Sequence, residues 1–169
     1  MTRSLRLSIL LAALVAFACG GENEASTETP SEAPAATTTP APPPAQDGPA
    51  GPRAEDESFV LEARPEEGGY TSGNLGRFAI VIEGKEGWHL NHEFPVSVEL
   101  TGTEVSFPKA ALAKEDAAEF VDERARFDVP FTPGAAGERE VRAVVSFAMC
   151  NPTSCVPKSH TVALALNVQ

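Results

Sequence analysis

From residue 57 onward, apolar and polar positions alternate with a period of two in one run after another. Phe59-Val60-Leu61-Glu62-Ala63 is a short run. Arg77 to Glu83 is a stronger one, closed by Gly84. Trp88-His89-Leu90-Asn91 and Val96 to Leu100 follow, and Val105-Ser106-Phe107 stops at Pro108. Arg124 to Phe131 alternates well. Glu140 to Met149 sets Val141, Ala143, Val145 and Phe147 on one side, and His160 to Val168 does the same with Val162, Leu164, Leu166 and Val168. Successive strand side chains point to opposite faces, so each run predicts a strand with one buried face. Strands this short, separated by Gly, Pro and Asn turns, predict an all-β domain, an antiparallel sandwich or barrel. Only Ala110 to Phe120, rich in Ala, Lys, Glu and Asp, suggests helix, as one or two surface turns. Residues 57–169 are a normal length for a single core, and they contain no internal repeat.

The pattern before residue 57 is different. Arg3 and Arg6 supply a positive start, Leu5 to Phe17 is an almost unbroken apolar run, and Ala16-Phe17-Ala18 leads into Cys19. A positive start, a short apolar stretch and small residues at the cut are the marks of a secretory signal. The run is about 13 residues, short of the roughly 20 that span a bilayer as a helix, so residues 1–18 are expected to be removed. The segment resembles a bacterial lipoprotein signal, in which the Cys becomes the lipid-modified first residue. Ala16 stands where such signals usually carry Leu, and an ordinary secretory signal with an incidental Cys is the plainer alternative. The expected address is outside the cytoplasm, lipid-anchored through Cys19 to the periplasmic side of the inner or outer membrane, or at the cell surface. Residues 19–56 then read as a disordered tether. Eight of the fifteen prolines lie there and no aromatic residue occurs between Phe17 and Phe59, too little apolar surface to offset the entropy of ordering.

Charge narrows the partners. Without Arg3 and Arg6 the chain has 11 basic against 24 acidic residues, a formal charge of −13. So acidic a protein is a poor ligand for nucleic acid or anionic lipid head groups, which leaves the lipid to hold it at the membrane. No nucleophile–base constellation is present, and the Ser and Thr residues near the cysteines have no acid nearby in the sequence. No cofactor is expected.

Candidate chemistry lies at Cys150-Asn151-Pro152-Thr153-Ser154-Cys155. With Cys19 used by the anchor, these are the two remaining cysteines in an oxidising compartment, where a pair is expected to meet. A turn between two strands can bring their Cα atoms within the 4.4–6.8 Å a disulfide needs. As a staple such a bond is weak: a six-residue loop contributes about 2 kcal/mol, against roughly 4–5 for a loop near 100 residues. A short-loop pair suits reversible exchange instead. No Asp or Glu occurs from Val141 to Gln169, and the charges there are Arg142, Lys158 and, when protonated, His160. Positive neighbours would favour the thiolate. Core strands lack acids in any case, so spacing and charge leave exchange, a structural staple and metal binding all open.

Val145 to Cys155, followed by Val156-Pro157 and Lys158 to Leu164, resembles the end of the N-terminal periplasmic domain of the thiol:disulfide interchange protein DsbD. That family shows an aromatic strand, a Cys-Asn pair, a second Cys a few residues on, then an apolar residue and Pro. Gly87-Trp88-His89-Leu90-Asn91 resembles an earlier segment of the same domain, and Phe107-Pro108-Lys109 and Phe127 to Pro130 fall in the expected order. The resemblance covers residues 57–169. It implies an immunoglobulin-like antiparallel β-sandwich that takes reducing equivalents from a membrane-embedded donor and passes them to periplasmic disulfide isomerases and reductases. Cys150 and Cys155 would be the exchanging pair, one attacking and the other resolving. The family's full protein continues into an electron-transporting membrane domain and a thioredoxin-like domain. This sequence stops at Gln169, so the donor is expected to be a separate protein. The family also covers its disulfide with an aromatic cap, for which Phe120, in the segment Lys114 to Phe120, is the candidate. The alternative is a non-catalytic binding or assembly domain whose disulfide is structural.

Three further features have plainer readings. His89 and His92 are three apart and would face opposite ways on a strand, so with His160 they read as solvated or locally bonded histidines rather than a metal set. Met149 beside Cys150 could suggest a soft Cu(I) site, but adjacent strand residues diverge. Trp88 reads as core rather than as a ligand platform.

Overall fold

The computed structural model describes residues 50–169. The expected signal segment, Cys19 and most of the expected tether lie outside the described residues. Eleven strands follow one another: β1 (Arg53–Glu55), β2 (Phe59–Pro65), β3 (Gly76–Gly84), β4 (His89–Leu90), β5 (Ser97–Gly102), β6 (Val105–Ser106), β7 (Ala111–Ala113), β8 (Glu119–Phe120), β9 (Arg124–Pro133), β10 (Gly137–Cys150) and β11 (Cys155–Val168). They form two antiparallel sheets. The first has the order β1-β2-β3-β9-β6, with β8 also on β9; the second runs β11-β10-β5-β7, with β4 also on β10. This is an antiparallel β-sandwich, one of the two architectures, sandwich or barrel, that the alternation predicts.

The core lies between the sheets. Phe59 and Leu61 of β2, Phe78, Ile80 and Ile82 of β3, and Phe127, Val129 and Phe131 of β9 meet Val98 of β5, Val145, Phe147 and Met149 of β10, and Val162, Leu164 and Leu166 of β11. All are nearly or fully buried. Aromatic rings carry much of the contact: Phe59 meets Phe147 edge-on at 5.0 Å, and Tyr70 meets Phe131 at 4.9 Å. Such pairs contribute about 0.5–1.5 kcal/mol beyond the area they bury.

Three expectations are corrected. Ala110 to Phe120 is not a helix beyond one 3-10 turn, Lys114–Asp116; β7 and β8 flank it. Ala113 N–H and Lys109 both bond to the Asp116 carboxylate, which holds a turn rather than a longer helix. The ordered sheet begins before Glu57: β1 pairs with β2 over Arg53 to Glu55, inside the range read as tether. The last strand also begins earlier than His160. β10 and β11 pair without a break from Gly137↔Val168 to Cys150↔Cys155, so both cysteines are strand residues at the tip of one long hairpin.

That hairpin orients the site. On β10, Val145, Phe147 and Met149 point inward, so Ser146, Ala148 and Cys150 point outward. Cross-strand partners share a face, which puts Cys155 on the same outer side.

Candidate functional site

Cys150 and Cys155 are joined by a disulfide, with Cα atoms 4.0 Å apart, a little closer than the usual spacing of about 4.4–6.8 Å. They are directly opposed across the hairpin. The four-residue loop between them is built by Asn151. Its backbone N–H donates to the Ser154 carbonyl at 2.8 Å, and its side-chain Oδ1 accepts from the backbone N–H groups of Thr153 and Ser154, each at 2.9 Å. An Asn that accepts from the backbone two and three residues on closes a tight turn by itself. Exposure of the two sulfur-bearing residues differs. Cys150 is 4% exposed, whereas Cys155 lies on the surface.

β4 supplies the other flank. Its register sets His89 opposite Cys150 and Leu90 opposite Met149. Leu90 turns into the core, so His89 and Asn91 share the outer face with the disulfide. β4 is placed by the preceding turn, where Gly87 adopts φ 80° and Trp88 N–H bonds to the Lys85 carbonyl at 2.9 Å. Residues 91–96 then leave the sheet edge before β5 rejoins β10 at Ser97↔Ser146. Six residues thus stand opposite only two of β10, and the excess forms a loop beside the cysteines.

Asn91 Nδ2 donates to Cys150 Sγ at 3.2 Å and to Cys155 Sγ at 3.6 Å. The loop around it is held at several points. Lys114 Nζ donates to the His92 carbonyl at 2.8 Å and sits 4.8 Å from the Phe120 ring centre. His92 Nε2 is 2.8 Å from the Asp122 carboxylate, and its ring meets Phe120 edge-on at 5.1 Å. Phe120 pairs with Ala125, packs against the core, and supports the Asn91 loop through His92. In the sequence Asn91 stood out only as the last residue of the run Trp88-His89-Leu90-Asn91, with no chemical role. Its amide reaches the sulfurs across 59 residues of chain, a contact that local pattern does not encode.

The positive neighbourhood read from the sequence is arranged differently. Lys158 stands three residues past Cys155 on a continuous strand and so faces the opposite side. There Lys158 Nζ bonds to Asp56 Oδ2 at 2.5 Å and lies 5.8 Å from the Phe59 ring centre. Asp56 Oδ1 accepts from Ser58 N–H at 2.7 Å and Ser58 Oγ at 2.6 Å. Burial opposes ionisation of Asp56, but the hydrogen bonds from Lys158 and Ser58 together outweigh it and hold the carboxyl at about 2. Arg142 pairs with Glu140 toward the far end of β10. His160 lies 4.9 Å from the Phe59 ring, and burial lowers its pKa; Asp56 opposes that shift and Lys158 adds to it.

Among the described residues, no three His, Cys, Asp or Glu side chains gather as a metal site. Trp88 is half-buried and packs against the core rim. With His89, Asp122, Glu123 and Pro152 it lines a groove of about 530 Å³ beside the hairpin tip. Another hollow, lined by Arg64, Arg77, Arg126 and Asp128, lies on the outer face of the first sheet, away from the cysteines. No protein-family model matches the chain, and no curated protein matches it significantly.

Proposed function

We propose that this protein is an exported, lipid-tethered thiol–disulfide exchange module, in which Cys150 and Cys155 relay reducing equivalents between protein partners as the resemblance to the DsbD N-terminal domain implies. The observation that carries the reading is the asymmetry of the pair, with Cys155 on the surface and Cys150 buried behind it. Exchange requires a thiolate to approach one particular sulfur, and this arrangement offers Cys155 alone.

A thiolate of a reduced partner dithiol attacks Cys155 Sγ and forms the intermolecular disulfide. The Cys150–Cys155 bond breaks, and its electron pair leaves on Cys150 Sγ. The partner's second thiolate then attacks its own sulfur in that mixed disulfide and releases Cys155 as a thiolate. Two electrons have moved, the partner dithiol has become a disulfide, and solvent protonates the released sulfurs according to their pKa. Run in reverse toward an oxidised acceptor, Cys155 attacks and Cys150 resolves. The donor in this reading is a separate membrane protein, the acceptor a periplasmic one, and the lipid on Cys19 keeps the module near both.

The structural-staple alternative has less to support it. Fourteen consecutive residue pairs already hold β10 to β11, and Asn151 already closes the loop. Equilibration with glutathione tests the reading. A potential above about −300 mV is expected, and a value well below that marks a structural bond and overturns it. Trapping adds direction. Cys150→Ser leaves the exposed sulfur without its resolving partner and is expected to accumulate a mixed disulfide in cells, whereas Cys155→Ser accumulates far less. If neither variant does, exchange is wrong.

A further inference from the structure

We propose that Asn91 is a catalytic residue of this exchange, its side-chain amide holding the Cys150 thiolate released when the disulfide opens; the inference rests on the exchange reading above. The orientation of that amide is fixed by chemistry. Asn91 Oδ1 accepts from the backbone N–H groups of Glu93 at 2.7 Å and Phe94 at 3.0 Å. Backbone N–H groups only donate, so the oxygen must face them and Nδ2 must face the sulfurs. Asn91's own N–H donates to the Ala148 carbonyl at 3.0 Å, which locks the residue to β10.

The contact gains strength when the bond opens. A disulfide sulfur is a weak acceptor, so in the oxidised protein the N–H contributes little. After attack on Cys155, Cys150 Sγ carries a full negative charge at a position only 4% exposed. Burial alone disfavours that charge and would make the sulfur a poor leaving group. An N–H already aimed at it becomes a charge-assisted hydrogen bond, stronger in the transition state than in the ground state, which is the condition for acceleration. The charged side chains nearby are arranged otherwise. Lys158 and His160 of β11 face the other side, and Lys158 bonds to Asp56. In the loop, His92 pairs with Asp122 and Lys114 bonds to the His92 carbonyl, while Glu93 is exposed. His89 of β4 is the titratable side chain set beside Cys150 by register.

Asn91→Asp separates the two jobs of the side chain. It keeps an oxygen for Glu93 and Phe94 N–H, and it replaces the donor at the sulfurs with a carboxylate oxygen. Asn91→Ala removes both. In the full chain, solubilised in detergent, two readouts apply: the glutathione equilibrium, and the pH titration of thiolate absorbance in the reduced protein. Asn91→Asp is expected to shift the equilibrium toward the disulfide by about tenfold or more, about 30 mV for a two-electron couple. It should also move the thiolate titration to higher pH, with thermal stability close to the parent. Asn91→Ala is expected to shift both in the same direction by less. If Asn91→Asp equilibrates and titrates as the parent while Asn91→Ala is merely less stable, Asn91 only shapes the loop and the proposal is overturned. In a His89→Gln background the Asn91→Asp shift should persist; its loss would assign the effect to the imidazole and overturn the proposal as well. A parent disulfide that glutathione cannot reduce is a different result, and it removes the exchange reading together with this one.

Discussion

Asp56 accepts three hydrogen bonds, from Ser58 N–H, Ser58 Oγ and Lys158 Nζ, and they hold its carboxyl at about 2 against an ordinary 3.8. A carboxyl whose folded pKa is depressed contributes stability that is fully present above 3.8 and is lost as pH falls through the folded value. Urea unfolding should therefore show the parent losing on the order of 1–2 kcal/mol more than Asp56→Asn between pH 4 and pH 2. Equal pH slopes in the two proteins would remove Asp56 as the cause. The same residue shows how far residue roles are legible. Asp56 sat at the end of a Pro-rich stretch and read as tether; its partner Lys158 is 102 residues away. The cysteines, by contrast, could be found from the sequence because few residue types carry that chemistry. Asn91 could not, since one Asn after a strand reads the same whether it caps a turn or meets a sulfur.

At the level of strands, alternation located the inner faces well. Val145, Phe147, Leu164 and Leu166 are all buried on the side that period two assigns them. Short edge strands were less visible. β8 has two residues, and their pairing with β9 depends on a neighbour rather than on their own composition. Ends of strands were also hard to place: extending β11 back to Cys155 reverses the side on which Lys158 would be expected near the disulfide. Gly84 shows what such an end requires. A Cβ there would lie 2.7 Å from the Trp88 carbonyl oxygen and 3.3 Å from Met149 Cε. Backbone cannot yield as a flexible side chain does, so Gly84→Ala should lower stability by about 1–3 kcal/mol. Because Trp88 leads into β4, its fluorescence should change as well. A thermal midpoint equal to the parent's would show that the close approach is relieved at no cost.

For the whole domain, the sandwich and its disulfide are separable. The core lies between the sheets while the Cys150–Cys155 bond is on the outer face at the tip of a hairpin that is already fully paired. Replacing both cysteines by Ser should leave the far-ultraviolet circular dichroism unchanged and cost about 2 kcal/mol or less. Collapse of the fold in that variant would favour the staple over exchange. Composition and period alone were enough for the fold class, because one-sided burial repeats every second residue and burial dominates folding. They were enough, too, for the cysteine pair, because no other residues in residues 57–169 share that chemistry. Which sulfur is exposed, which amide faces it and which cation is turned away all came from strand register and from a loop that doubles back on its sheet. Those depend on contacts between residues 59 to 102 positions apart, and a local pattern carries no record of them.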